Sequence, residues 1–338
     1  MQHIIEILRE ALSTPLQHDA TPCYDAREIR AITDLLIEEV CGITRVDRLL
    51  HPTLQPTPSQ RAEVQRLAHL LAQGIPVQQA LGYEWFCGQK FRVSPHVLIP
   101  RPETAELVEW IVSDAARDAA CHRGLSILDL GTGSGCIAIT LARLINNSQV
   151  LALDLSTAAL DTARLNASEQ GVDNVQFAQC DILKCVDNCY FNSVITRLST
   201  PCTQDSATGC QQALSQGFQQ QNTSCQQGRT VVHTPFDIIV SNPPYICRKE
   251  AAEMSSLVTE HEPDMALFVP DHDPLLFYRA IARFAQQHLA PQGRLYFEIN
   301  AAYGSETCQM LQGEGFRQVT LRQDVNGRDR MICAKREK

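Results

Sequence analysis

From residue 125 onward the chain alternates between two hydrophobic periods, and this alternation limits the fold more than any other feature. SILDL reads as a strand, CIAITLARLI as a helix, QVLALDL as a strand and TAALDTARLNASEQ as a helix. NVQFAQCDIL, FDIIVSN and GRLYFEI read as further strands, with DPLLFYRAIARFAQQHL as a helix between the last two. The strands are apolar on both faces, so helices must cover both sides of one largely parallel sheet. The tail FRQVTLRQDVNGRDRMICAKR reads as two strands around a turn at Asn326-Gly327, an antiparallel edge of the kind such sheets often carry.

Ahead of this lie segments of a different kind. Residues 2–12 and 25–40 space apolar residues by three and four, as amphipathic helices do. A shorter helix is expected at 44–50 and another at 59–73, separated by HPTLQPTP. YEWFCGQKFRVSP alternates and turns at Cys87-Gly88, which predicts a hairpin. Arg101 sits between two prolines, and Glu103 and Thr104 open a helix with Leu107, Val108 and Ile111 on its apolar face. The expected layout is a small all-α N-terminal domain over 1–74, a linker with a β-hairpin over 75–103, and an α/β domain over 104–338. Residues 185–234 interrupt the last of these. They hold nine glutamines between Gln204 and Gln227 and few charges, a composition expected to form an inserted, largely disordered loop.

Composition narrows the function classes. A net charge of −9 on 338 residues opposes broad nucleic-acid binding, which needs a basic surface. MQHIIEILREALS carries acids and no long apolar core, so neither a secretory signal nor a membrane anchor is expected, and the protein is expected in the cytoplasm. Of fourteen cysteines, Cys180, Cys185, Cys189, Cys202, Cys210 and Cys225 fall in or beside the insert. The chain contains no CxxC pair, so no metal site is expected.

Two bends carry the chemistry. LDLGTGSGCIAIT places Gly131, Gly133 and Gly135 between a strand and a helix. Glycines there permit positive φ and close approach of backbone amides to a ligand. Asp154 ends the next strand and Asp181 the third, beside Ile182, so acids line one edge where ribose hydroxyls could be held. A dinucleotide pattern would need glycine at 136, and the chain has Cys136. The second bend is Asn242-Pro243-Pro244-Tyr245, closing the apolar run FDIIVS. Prolines explain why the strand stops; the amide and the phenol call for a further reason.

Asp129 to Gly135 followed by Asp154 resembles the S-adenosyl-L-methionine pocket of class I methyltransferases, and Asn242 to Tyr245 resembles their motif for methylating planar nitrogens. GIPVQQALGYEWFCGQKFRVSPHVLIPRPET, LDLGTGSGCIAI, FDIIVSNPPYI, EPDMAL and DVNGRDR resemble the release-factor glutamine methyltransferases (the PrmC/HemK family). The resemblance implies a Rossmann-like class I methyltransferase domain with a mostly parallel seven-stranded sheet. Gly131, Thr132, Gly133, Ser134, Gly135, Asp154, Asp181, Ile182 and Asn242 would hold the donor. Asn242, Pro243, Pro244 and Tyr245 would bind the substrate, the glutamine of the GGQ motif in class 1 peptide-chain release factors. The implied protein is a monomer with no metal, no nucleic-acid partner and no membrane. Ala105 ahead of Glu106, and Phe268 to Asp273 after EPDMAL, depart from the family's text and bear on docking rather than chemistry. Alternatives are the paralogous ribosomal-protein glutamine methyltransferase, a DNA adenine methyltransferase, and a non-catalytic module that keeps only the donor pocket.

Such chemistry accounts for the second bend. An amide nitrogen is a poor nucleophile, and positive charge moves onto it as it accepts a methyl group. Carbonyl oxygens aimed at its two N–H bonds stabilise that charge where it develops. Asn242 offers a side-chain oxygen; Pro243 offers its backbone carbonyl, with no N–H to compete and with φ fixed. Pro244 stiffens the turn, and Tyr245 is expected to lie against the flat face of the substrate amide. No general base is evident, since the methylated nitrogen is acidic enough to lose its proton to water.

Overall fold

A computed structural model describes residues 1–14, 24–118, 124–185, 188–199 and 235–337. The helical region comprises α1 (Gln2–Ser13), α2 (Ala26–Cys41), α3 (Arg45–Leu50), α4 (Pro58–Ala72) and α5 (Val77–Leu81). Their boundaries follow from local chemistry. Asp25, Thr44 and Thr57 each form a capping box with the residue three positions on, and Pro58 occupies the first turn of α4. Gly42, at φ 66°, closes α2. Ile4, Leu8 and Leu12 meet Leu36, Ile37, Val64, Leu67 and Leu71 in a core separate from those around the sheet.

The hairpin follows as β1 (Tyr83–Phe86) and β2 (Gln89–Arg92), with Phe86 opposite Gln89. Cys87 and Gly88 both take positive φ, 47° and 74°, the backbone that a two-residue hairpin turn needs. Glu39 of α2 accepts from Tyr83, from Lys90 Nζ at 3.0 Å and from Trp85 Nε1 at 3.4 Å, tying hairpin to helix.

The rest of the chain runs α6 (Pro102–Asp118), β3 (Ser126–Leu130), α7 (Cys136–Leu144), β4 (Gln149–Asp154), α8 (Thr157–Glu169), β5 (Val175–Gln179) and α9 (Asn188–Ser199). It continues with β6 (Phe236–Ser241), β7 (Ile246–Cys247), α10 (Ser256–Thr259), α11 (Asp264–Leu267), β8 (Phe268–Val269) and α12 (Leu276–His288). β9 (Leu289–Glu298), α13 (Gly304–Gly313), β10 (Phe316–Gln323) and β11 (Asp329–Arg336) complete it. The expected seven-stranded, mostly parallel sheet has the order β10-β11-β9-β6-β3-β4-β5, and only β11, antiparallel to both β10 and β9, runs against the other strands. Leu128, Leu130, Leu151 and Leu153 face a core shared with Tyr278, Ile281 and Phe284 of α12. The alternate positions Ile127, Val150, Ala152, Ile238 and Val240 face Leu107, Val108 and Ile111 of α6 and Ile137 of α7. Both faces are buried, which is why the strands lack polar alternation.

The expectation of disorder from residue 185 needs correction at its start. Asn188–Ser199 is helical, with Phe191 and Val194 buried. The Phe191 ring meets Phe284 edge-on at 4.8 Å and Phe236 at 6.5 Å. Phe191, Val194 and Ile195 make a single helical stripe, and burying it against two aromatic residues offsets the cost of ordering three turns. Residues 200–234 lie outside the described residues. The departure at Phe268 also has a structural place: β8 runs parallel to β7, directly after the proline bend.

Candidate active site

β3 lies between β4 and β6. The chain crosses to opposite sides of β3 in its next connections, so a crevice opens at the carboxyl ends of these strands. Strand register sets the site's dimensions. Leu130 pairs with Leu153 on one side and Ser241 on the other. The next residue on each strand is therefore Gly131, Asp154 or Asn242, three neighbours along one edge. Ser241 pairs in turn with Phe297, so Glu298 comes next to Asn242. The glycine bend and the proline bend share a rim.

The glycine bend is held open by its own backbone. Gly131, Gly133 and Gly135 have φ of 79°, 55° and 81°, all in the region that side chains disfavour. Gly131 and Thr132 donate to the Leu153 carbonyl at 2.8 and 2.9 Å. Gly133 donates to Asp154 Oδ2 at 2.8 Å, and Ser156 donates to Asp154 Oδ1 at 2.8 Å. Asp154 thus fastens the loop to the second strand. Burial raises its pKa, opposed by those two N–H donors. Beneath the loop Asp129 is fully buried and accepts from Thr132 Oγ1 at 2.6 Å. Burial pushes its carboxyl up to about 7.

A cleft of about 960 Å³, counted with its open mouth, runs along this rim. Gly131, Thr132, Gly133, Ser134, Asp154, Asp181, Ile182, Asn242 and Pro244 all line it. Gly135 does not; a Cβ there would meet Ile139 Cδ1 at 2.8 Å and Ala163 Cβ at 3.1 Å, so its place is the contact between α7 and α8. Pro243 is buried and is not among the lining residues. Tyr245 packs against the sheet core, with its hydroxyl 3.2 Å from Glu298 Oε1. Asp181 has a second role in the turn after β5. It accepts from the Leu183 N–H at 3.0 Å, and its own N–H donates to the Tyr190 hydroxyl of α9 at 3.1 Å.

The cleft also draws on residues that the sequence reading did not assign to a site. Thr104 lines it from α6, and Pro263, Met265 and Phe277 close its outer side. Arg101, also in the lining, pairs with the buried Glu262, whose other oxygen accepts from the Ile99 N–H at 3.3 Å. Glu298 is buried at the end of β9. An acid ending the apolar run RLYFE was a usable signal, because isolated buried carboxylates are rare. Thr104 carried none.

Two polar groups that line the cleft have unused capacity, the Ser134 hydroxyl and the Asn242 amide. Asn242 Nδ2 donates to Thr104 Oγ1 at 3.3 Å. Its Oδ1 is buried with no partner among the described residues, a costly arrangement unless a bound donor completes it. Among the described residues no group of three or more His, Cys, Asp or Glu side chains is arranged to hold a metal ion, and no helix is long and apolar enough to cross a membrane.

Comparison with known proteins agrees with this architecture. Residues 121–298 match a family model described as a methyltransferase domain, and residues 24–82 match the PrmC N-terminal domain. The release factor glutamine methyltransferase of Flavobacterium psychrophilum is 38% identical over 309 residues, 91% of this chain and 92% of that protein. The enzyme of the same name from Bacteroides thetaiotaomicron is 37% identical over 316 residues, 93% of this chain and 95% of that protein. Among solved structures, a methyltransferase from Pyrococcus furiosus aligns with a TM-score of 0.44 at 14% identity, covering 77% of this chain and 95% of that one. With more than a third of its residues shared along nearly the whole length, the chain belongs to the release factor glutamine methyltransferase family.

Proposed function

We propose that this protein transfers a methyl group from S-adenosyl-L-methionine to the side-chain amide nitrogen of the GGQ glutamine in class 1 peptide-chain release factors. One observation carries the reading: the Asn242 Oδ1 atom, buried and unpaired on the same rim as the glycine bend. An acceptor left open in that place suits a substrate that brings N–H donors and acquires positive charge.

The cleft suits the donor. Gly133 has no atom within 4 Å of where a Cβ would stand, so its backbone is open to a ligand, and Asp154 and Asp181 present carboxylates along the same wall. When bound, the donor supplies an electrophilic methyl group on a sulfonium. Gly131 to Ser134 and Ile182 hold it, and Asp154 and Asp181 meet its hydroxyl and cationic groups. Asn242 Oδ1 and the Pro243 carbonyl accept from the substrate's two N–H bonds, orient the nitrogen and stabilise its growing charge. Pro244 keeps the bend rigid. The nitrogen sheds one proton to solvent, and the product is an N-methyl glutamine.

Residues 1–74 serve as the part that reads the protein around the target glutamine, joined by the hairpin segment 75–103 to the catalytic domain 104–338. The protein acts as a cytoplasmic monomer, and its net charge of −9 disfavours nucleic acid as a partner. Mass spectrometry tests the reading after incubation with donor and, in parallel, a class 1 release factor, ribosomal protein and plasmid DNA. One added methyl on the GGQ glutamine is the expected result. Methylation confined to either of the other substrates would overturn it.

A further inference from the structure

Asn242 can help the reaction only if its oxygen, not its NH₂ group, faces the cleft. The two ends of a primary amide have nearly the same size, so shape alone does not choose between them. The choice is made by hydrogen-bond polarity. Thr104 Oγ1 donates to Glu298 Oε2 at 2.6 Å, and a hydroxyl has one proton to give. Toward Asn242 it can therefore present only a lone pair, which accepts from Nδ2 at 3.3 Å and repels Oδ1. Glu298 and Thr104 are 1% and 3% exposed, so water cannot rearrange the chain of bonds.

Resting on the function proposed above, we propose that Glu298, acting through Thr104, is a positioning residue that fixes the Asn242 amide with its oxygen toward the substrate. Both Glu298 oxygens act as acceptors, Oε2 from Thr104 and Oε1 from Tyr245. The Tyr245 hydroxyl donates to Oε1 at 3.2 Å. Burial raises the Glu298 pKa; the Thr104 hydroxyl, Arg330 of β11 and the Tyr245 hydroxyl favour the ionised form against it, while Glu103 of α6 adds to the rise. The Tyr278 hydroxyl is taken up by the Glu298 backbone carbonyl at 3.3 Å. With an uncharged group at 298 the bonds can run in reverse: 298 donates to Thr104, Thr104 donates to Asn242 Oδ1, and Nδ2 turns toward a nitrogen that is becoming positive.

The role explains three features that have no other common cause. A carboxylate is buried at a strand end, a threonine 194 residues earlier in the chain donates to it, and an acceptor is left open between them. In this arrangement Thr104 and Glu298 need not touch the substrate. They determine which atom of Asn242 does.

The test compares Thr104→Val, Thr104→Ser and Glu298→Gln in the full-length protein, measuring kcat and KM for the release factor, donor affinity by calorimetry, and thermal stability. Thr104→Val keeps the shape and removes the hydroxyl. It should lower kcat by roughly 10- to 100-fold, below the 10²–10³ of losing a charge-stabilising partner outright, with donor affinity unchanged. Thr104→Ser should restore most of kcat. In an Asn242→Ala background Thr104→Val should have no further effect on kcat, because the residue through which it acts is gone. Nuclear magnetic resonance of the Asn242 side-chain amide gives a readout independent of the substrate: a contact between its NH₂ protons and the Thr104 methyl, lost in Glu298→Gln. Wild-type kcat in Thr104→Val, an equal loss in the Asn242→Ala background, or the absence of that contact in the wild-type protein would overturn the relay. An enzyme that shows the contact but leaves the release factor unmethylated would uphold the relay and overturn the functional reading instead.

Discussion

Ser241 donates its hydroxyl to the backbone carbonyl of Leu130 at 2.5 Å across two parallel strands, and each residue is the last before its strand bends. This one bond joins the root of the glycine loop to the root of the proline turn. Ser241→Ala leaves the buried Leu130 carbonyl short of a partner, so it should lower the unfolding free energy by about 1–3 kcal/mol. Denaturant titration checks the loss. If the bond also sets the spacing of the bends, kcat should fall while donor affinity changes little.

Asn242→Ala removes the open acceptor. Turnover on the GGQ substrate should drop by roughly 10²–10³, and donor binding should weaken far less. Steady-state kinetics and calorimetry on one preparation separate the two effects. Unchanged turnover would remove the role assigned to this residue.

Asp154→Ala deletes the acceptor of both the Gly133 and Ser156 N–H groups. Hydrogen bonds to a charged group contribute about 1.5–3 kcal/mol each, so donor affinity should fall by at least roughly 10-fold. Because Asp154 fastens the glycine bend and not the proline bend that would orient the methyl acceptor, kcat at saturating donor should be affected less. Isothermal calorimetry with the donor reads this directly.

Asp129 gives the pH signature. Its carboxyl in the folded protein is pushed up to about 7 by burial, above the ordinary aspartate value, so the native state binds this proton more tightly than the unfolded chain. Its contribution therefore favours folding at acid pH and is lost as pH rises from the usual carboxylate range through about 7. Asp129→Asn, which cannot ionise, should gain stability relative to wild type across that window, by up to about 4 kcal/mol at pH 8. Unfolding curves for both proteins at pH 5 and pH 8, without ligand, measure the difference. A constant difference at the two pH values would rule out the assignment.

Phe191→Ala tests the helix that composition did not reveal. The side chain is fully buried between Phe236 and Phe284, and emptying such a site costs about 3–5 kcal/mol. Thermal unfolding should register a loss of that size. A loss below 1 kcal/mol would mean that α9 is not docked on the sheet.

Where structure is set by nearest neighbours, the sequence was a sufficient guide. The two-residue hairpin turn, the capping boxes, the prolines that close β6 and the strand–helix alternation act within a few residues, so each is legible in a short window. The same holds for the glycine loop and for Asp154, whose place at the end of β4 follows from counting; Asp181, expected to end the third strand, lies two residues beyond β5 in the turn. The helix over 188–199 escaped because its apolar stripe of Phe191, Val194 and Ile195 is short. It exists only because Phe236 and Phe284, far along the chain, offer a surface to bury it.

By itself, then, the amino-acid order determined the layers, the order of the elements and the two bends, because backbone preferences and hydrophobic periods are local. Tertiary structure alone decided which groups those bends meet. Thr104, Asn242 and Glu298 converge through strand register and the packing of α6 on the sheet, and the direction of a proton between them depends on contacts spanning 138 and 194 residues. No window along the chain contains that information, since a hydrogen bond's polarity is a property of the assembled neighbours and not of either residue alone.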